Sequence, residues 1–162
     1  MGTTNNFNRR IMKTICTVAF AILFSTYINA QELTPIKWEM TAIEEAHGLV
    51  AVNMTALMDE GWHLYATYLP SDEGPFPTSI QIDPNEHFEL VGELEYPEPI
   101  TKYDENFMMD LNYYDEQVTF KRYVKPIGTS NIVVVGEVEY MCCNDEMCLP
   151  PRTVPINIEL KR

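Results

Sequence analysis

Basic residues are scarce in this 162-residue chain, which carries 11 lysines and arginines against 24 aspartates and glutamates. Nucleic acids and anionic lipids are themselves negatively charged, so a chain of this kind is repelled by both. We therefore expect no nucleic-acid partner. The acidic residues are spread along the sequence without a block of five like charges, and most of them need only form a solvated surface.

Long apolar runs are also missing. The apolar run near the N-terminus, Ile15 to Phe24, has ten residues, whereas a helix that spans a bilayer needs about 20. It follows three basic residues and precedes a polar stretch that ends in a small residue, which is the pattern of a secretory signal peptide. We predict a signal peptide at residues 1–30, one exported domain at residues 31–162 and no direct membrane insertion. The exported domain keeps eight basic residues against 24 acidic ones, a net charge of −16.

Cysteine is the third scarce residue, with four in the chain, yet three of them fall within seven positions of the stretch YMCCNDEMCLPP, Tyr140 to Pro151. The fourth, Cys16, belongs to the predicted signal peptide. Disulfides persist in the oxidising compartments that exported proteins enter. The cluster is therefore a candidate for a structural disulfide, a soft-metal site or a disulfide that opens and closes in function.

The rest of the exported chain alternates apolar and polar residues, with turn residues between the alternating segments and no sustained helical period. Eight short strands in about 130 residues predict an all-β sandwich in which one face of each strand is buried. The predicted strands are Ile36 to Ala42, Leu49 to Leu57, Trp62 to Thr67, Thr78 to Ile82, Phe88 to Leu94, Gln117 to Lys125, Asn131 to Met141 and Thr153 to Leu160.

Strand alternation also suggests how the three cysteines are used. Successive side chains of a strand point to opposite faces, so Cys142 continues the buried face of Val138 and Tyr140 while Cys143 points outward. This pattern favours a disulfide between Cys143 and Cys148, with Cys142 as a small buried apolar residue. The alternative pairing of Cys142 with Cys148 stays open.

The surroundings of the cysteines bear on the three kinds of site. A structural disulfide that closes a ring of about six residues stabilises by on the order of 2 kcal/mol, less than a longer loop would gain. The nearby methionines suit Cu(I), but the three histidines lie singly along the chain, and we expect no metal. Acidic neighbours disfavour the thiolates, so an exchanging disulfide here is better suited to attack by a partner's thiolate than to starting the exchange. These methionines are Met108, Met109, Met141 and Met147, and the histidines are His47, His63 and His87.

The stretch VEYMCCNDEMCLPP, Val138 to Pro151, resembles the active-site loop of the N-terminal periplasmic domain of the thiol:disulfide interchange protein DsbD. Further similar stretches occur in the same order upstream, namely DEGWHLYA at Asp59 to Ala66 and YDENFMMDLNYYDEQVTF at Tyr103 to Phe120. The resemblance covers most of the exported chain, roughly Ile36 to Leu160.

This resemblance implies an immunoglobulin-like β-sandwich in the periplasm that relays electrons through one reversible disulfide and without a cofactor. Cys148 then forms the mixed disulfide and Cys143 resolves it. A cap loop that contains Glu105 and Phe107 would cover the disulfide, and Tyr65 and His63, where the family often has tyrosine, would flank it.

The resemblance also implies the partners, which are thioredoxin-like proteins and periplasmic thiol oxidoreductases. No transmembrane segments or thioredoxin-like domain follow Arg162, so we expect a stand-alone domain that receives electrons from a separate membrane protein. A second hypothesis, from another functional class, is a secreted non-catalytic β-sandwich that binds a ligand and whose disulfide only holds a loop. The aromatic rings of Trp38 and Trp62 are compatible with this second hypothesis.

Overall fold

The structure is a computed structural model that describes residues 32–71 and 73–161. A compact unit begins at Thr34 and contains every strand given below. The predicted signal peptide, residues 1–30, lies outside the described residues. Within the described part of the chain, no helix is long and apolar enough to cross a membrane.

The described residues form eleven strands and one short 3-10 turn at Ala46–Gly48, and every paired strand is antiparallel to its neighbour. They make three sheets with the orders β1-β2-β8-β5, β10-β3-β7-β6 and β11-β9-β4. The strands are β1 Ile36–Glu44, β2 Val50–Met58, β3 His63–Tyr65, β4 Ser79–Ile82, β5 Phe88–Glu95, β6 Ile100–Asp104, β7 Met109–Asp115, β8 Gln117–Pro126, β9 Ile132–Tyr140, β10 Cys142–Cys143 and β11 Arg152–Leu160.

Side chains from all three sheets meet in one main core. The strands β9 and β11 bury every second residue, as their apolar alternation predicts. The central strand β2 pairs with both β1 and β8 and buries almost all of its length. The residues that this core buries most completely are Val52, Met54, Ala56, Leu64, Ala66, Phe120, Val124, Val134, Val138 and Ile156.

The all-β prediction is confirmed, and each of the eight predicted strands overlaps an observed one. Three strands were missed, and in each the burial differs from simple alternation. Strand β6 is exposed except at Asp104, β7 buries four consecutive residues from Leu111 to Tyr114, and β10 has only two residues. A period of two is absent from all three strands, so alternation could not reveal them.

Gly136 lies in the middle of β9, opposite Ile82 of β4 and Ile156 of β11. A Cβ atom at this position would overlap the backbone carbonyl oxygen of Gln81 and lie 2.9 Å from the Cα of Ile82. Both contacts are with backbone, which cannot rotate away. The absence of a side chain at Gly136 is therefore what allows β4 to pair with β9.

We predict that Gly136→Ala lowers the free energy of unfolding by about 3 kcal/mol, because overpacking at a rigid backbone contact forces the strands apart. Urea unfolding followed by circular dichroism measures the change. Val135→Ala is the matched control, since its exposed side chain lies next to Gly136 on the same strand. Equal stability of Gly136→Ala and the unmodified chain would contradict the close approach of β4.

Candidate functional site: a capped disulfide

A disulfide joins Cys143 at the end of β10 to Cys148, across an isolated antiparallel bridge between the same two residues. The turn that it encloses is ordered by Asn144. Its backbone amide donates to the carbonyl of Met147 at 2.9 Å, and its Oδ1 accepts from the amides of Glu146 and Met147 at 2.9 and 2.8 Å. Asparagine favours such turns because its side chain can replace a backbone acceptor. We call residues 143–148 the disulfide loop.

The neighbouring Cys142 is a buried free thiol, so of the two pairings considered from the sequence the structure contains that of Cys143 with Cys148. Cys142 is 1% exposed and joins the main core. Burial raises the pKa of its thiol to about 11, although Arg152 opposes this increase. Cys142 therefore stays protonated and inert at neutral pH.

The expectation that Cys143 points outward was wrong. Cys143 is 0% exposed, because its side of β10 is covered by a second apolar cluster, separate from the main core. Alternation does place the two cysteines on opposite sides of the strand, but it does not say what covers each side. We call this second set of residues the disulfide cluster; its buried members are Tyr65, Leu111, Tyr113 and Cys143, and its partly buried members are Leu69, Phe107, Met109, Met141 and Cys148.

A short turn between β6 and β7 covers part of the disulfide cluster. We call this turn, Glu105–Met108, the cap segment. Phe107 packs against the disulfide cluster and meets the ring of Tyr65 edge to face, with the ring centroids 6.0 Å apart. The next residue, Met108, is 76% exposed and has a left-handed backbone conformation, which few residues other than glycine adopt.

The buried side chain of Asp104 holds the base of the cap segment. Its Oδ1 accepts hydrogen bonds from the backbone amides of Asn106 and Phe107 at 2.9 and 3.1 Å. Its Oδ2 accepts from the hydroxyl of Tyr65 at 2.6 Å and lies 3.4 Å from Nε2 of His63. One carboxyl group thus connects the cap segment to β3, the strand on which β10 pairs.

His63 and Tyr65 flank this carboxyl group on the same side of β3. Burial lowers the pKa of His63 below its ordinary value of 6.5, although the neighbouring Asp104 opposes the shift. Burial, together with the hydrogen bond to Asp104, raises the pKa of Tyr65. Both side chains are therefore uncharged at neutral pH, and the ring of His63 packs on Tyr113 at 4.6 Å between centroids.

A groove of about 760 Å³ runs beside the cap segment and the disulfide loop. Seven carboxyl groups line it, together with a single lysine, Lys102, among the described lining residues. Glu105 is exposed and belongs to this lining, while His63 forms part of its wall. The acidic side chains are Asp59, Glu60, Asp104, Glu105, Asp115, Glu116 and Asp145.

The structure thus brings the six residues singled out at the site, Cys143, Cys148, Phe107, Tyr65, His63 and Glu105, to one end of the domain. Sequence reasoning missed the roles of Asp104 and Asn106, although an aspartate that accepts from amides two and three residues later is a known turn signal. Among residues 32–71 and 73–161, no three His, Cys, Asp or Glu side chains come together as a metal site.

The family described as "Thiol:disulfide interchange protein DsbD, N-terminal" matches residues 32–160, which include the cap segment and the disulfide loop. The chain belongs to this DsbD N-terminal family. No curated protein sequence matches the chain significantly.

Solved structures confirm the immunoglobulin-like β-sandwich of the DsbD N-terminal family. The reduced DsbD N-terminal domain of Neisseria meningitidis has a TM-score of 0.57 and 17% identity, over 83% of this chain and 95% of that one. The N-terminal periplasmic domain of ScsB from Proteus mirabilis has a TM-score of 0.57 and 16% identity, over 83% of this chain and 50% of that one. A complex of the DsbD and PilB N-terminal domains from N. meningitidis has a TM-score of 0.52 and 14% identity, over 78% of this chain and 87% of that one.

We predict that, after reduction, Cys142 reacts with iodoacetamide far more slowly than Cys148. A thiol with a pKa of about 11 rather than 9.0 has about 100-fold less thiolate near pH 8. Labelling followed by mass spectrometry of tryptic peptides measures the rates, and labelling in urea should remove the difference. Similar rates for the two cysteines in the folded protein would contradict the burial of Cys142.

The same shift has a consequence for stability. The Cys142 thiol ionises near pH 9 in the unfolded chain but, with its raised pKa, only near pH 11 in the folded one. Its ionisation therefore does not change the free energy of unfolding below about pH 9. As the pH rises from 9 to 11, the unfolded state releases the proton first and the folded state loses stability. Cys142→Ala should lack this part of the alkaline decline.

The acidic groove predicts that a cationic thiol reduces the disulfide faster than an anionic one, because the cation is concentrated near the carboxyl groups. We expect a difference of about tenfold at low salt between 2-aminoethanethiol and 3-mercaptopropanoate, with both rates expressed per thiolate. Added salt should reduce it, since screening shortens the range of the field. The Glu60→Gln, Glu105→Gln double variant should also reduce it, and equal rates at low salt would contradict the prediction.

Proposed function

We propose that this domain is a periplasmic thiol-disulfide relay that passes electrons between a thioredoxin-like donor and periplasmic thiol oxidoreductases. The main support is that the two cysteines of the capped disulfide are unequally exposed. Cys148 is partly exposed, whereas Cys143 is 0% exposed in the disulfide cluster. This difference in exposure favours attack by an incoming thiolate at Cys148 over attack at Cys143.

In the proposed exchange, a thiolate of the reduced partner attacks Sγ of Cys148 and the bond to Cys143 breaks. Cys143 leaves as a thiolate and takes up a proton, while Cys148 is held to the partner in a mixed disulfide. The partner's second thiolate then attacks the partner's sulfur atom in the mixed disulfide, and Cys148 leaves as a thiolate and takes up the second proton. Two electrons and two protons have moved to this domain, and the partner has become a disulfide. The reverse sequence reduces a client protein.

The cap segment supplies the control that such a relay needs. Phe107 packs against the cluster that contains both cysteines, so a partner has to displace it or approach beside it to reach Cys148. The amides of Asn106 and Phe107 hold its base through hydrogen bonds to Asp104, and these bonds can break without unfolding the sheets. Displacement of the cap by a docked partner would make exchange depend on protein contact.

The family and its relatives support the proposed partners and compartment. One similar structure is a complex between the DsbD and PilB N-terminal domains, so a domain of this family forms a complex with another protein domain. The similar domain of ScsB is periplasmic. Together with the predicted signal peptide, this supports the same compartment for this chain. We also propose that a membrane protein is the source of the electrons.

A non-catalytic binding module with a structural disulfide has less support. The tryptophans that suggested a binding surface pack against the main core, and Trp38 contacts the rings of Phe120 and Tyr140. Neither tryptophan is fully exposed. Cys148 of the disulfide, by contrast, is partly exposed.

We predict that Cys143→Ser traps a mixed disulfide with a thioredoxin-like protein that lacks its resolving cysteine and carries 5-thio-2-nitrobenzoate as a mixed disulfide on its remaining active-site cysteine, because the thiolate of Cys148 can displace that leaving group. Cys148→Ser should trap at least tenfold less, because its remaining site thiol, Cys143, is buried. Both variants keep Cys142, so they form a matched pair, and non-reducing gels with mass spectrometry identify the linked cysteine. Equal trapping by the two variants would overturn the assignment of Cys148, and no trapping by either would overturn the relay.

A further inference from the structure

A hydrogen bond from the side chain of Asn106 joins the cap segment to the disulfide loop. Nδ2 of Asn106 donates this bond to the backbone carbonyl of Asn144 at 3.0 Å. The backbone amide of the same residue donates to Asp104. Asn106 therefore connects two segments that lie 38 residues apart in sequence, and it does so at the edge of the disulfide.

The acceptor of this bond is itself positioned by the closed disulfide loop. Asn144 directly follows Cys143, and its amide and side chain make the three hydrogen bonds that order the turn to Met147. The direction of the Asn144 carbonyl thus depends on the conformation of the loop. The Asn106 bond forms when the cap segment is closed and the loop is folded around its disulfide.

We propose that Asn106 is a positioning residue that latches the cap segment over the disulfide and so selects protein dithiols over small thiols such as glutathione. This proposal rests on the proposed relay function and adds to it the class of reductant that the site accepts. Asn106 touches neither sulfur in the contacts described; it acts by keeping Phe107 on the disulfide cluster. A docked protein can offset the loss of the latch with new contacts, whereas a small thiol offers few.

Two features of the cap segment indicate why a latch is needed. The base of the segment is held by Asp104, but its tip at Met108 is exposed and left-handed, a conformation that costs free energy for a methionine. Phe107 is only partly buried, so its packing alone holds the closed position weakly. The bond from Asn106 adds a directional contact between this turn and the disulfide loop.

The test compares Asn106→Ala with the unmodified chain in reduction by glutathione, followed by alkylation and mass spectrometry. Loss of one hydrogen bond should raise the rate about fivefold, the ratio that corresponds to about 1 kcal/mol. Asn106→Gln keeps an amide donor and should restore most of the slow rate. Asn157→Ala, an exposed asparagine on β11, is the matched control and should react as the unmodified chain does.

Amide hydrogen exchange separates a latch from a general loss of stability. In Asn106→Ala the amide of Phe107, which donates to Asp104 in the closed cap, should lose about fivefold in protection. Amides of core strands, such as that of Val124, should be unchanged. A fall in protection throughout the domain would show a structural role and overturn the latch.

The latch and the relay can fail separately. Unchanged glutathione reduction and unchanged Phe107 protection in Asn106→Ala would overturn the latch, whatever a thioredoxin-like protein does. A faster glutathione reaction in Asn106→Ala, with slow reduction restored in Asn106→Gln, supports it. Failure of every thioredoxin-like protein to reduce the unmodified chain would overturn the relay instead.

Discussion

The antiparallel pairing of Cys142 and Cys143 with Leu64 and His63 is the contact on which the site depends. Side chains of adjacent strand residues point in opposite directions, so this two-residue strand sends one cysteine into the main core and the other into the disulfide cluster. In the proposed relay, the disulfide would then open outside the main core that joins the sheets. The strand also places Cys142 on its other side, away from the disulfide.

A buried carboxyl group then determines how the disulfide is covered. Asp104 is 5% exposed, and a buried polar group without hydrogen-bond partners is costly. The hydroxyl of Tyr65 and the amides of Asn106 and Phe107 supply these partners. Closing the cap therefore satisfies the carboxyl group, and opening it returns two of those acceptor sites to water. The free-energy difference between the closed and the open cap can be small, because water replaces the two amides at the carboxyl group.

The sequence predicted the parts of this arrangement that depend on local pattern. Alternation located eight strands and placed Cys142 and Cys143 on opposite sides of the chain, because burial on one face has a period of two. It did not locate β7, whose four buried residues in a row lie between the main core and the disulfide cluster. Nor could it show that Cys143 is covered, since the cap reaches the site through contacts such as Tyr65 with Asp104, 39 residues apart.

The same burial shapes the reduced state of the site. Once the disulfide has opened, a thiolate at Cys143 would lie among Tyr65, Leu111 and Tyr113, and an unpaired charge in apolar surroundings is costly. The neutral thiol is therefore favoured, and a neutral thiol is a poor nucleophile. In the proposed relay Cys148 attacks first, so this burial would slow the later step in which Cys143 resolves a mixed disulfide. The cap would hinder the opposite reaction, reduction by a stray thiol, because Phe107 packs beside both cysteines. A docked partner that displaced the cap and exposed Cys143 would weaken both barriers.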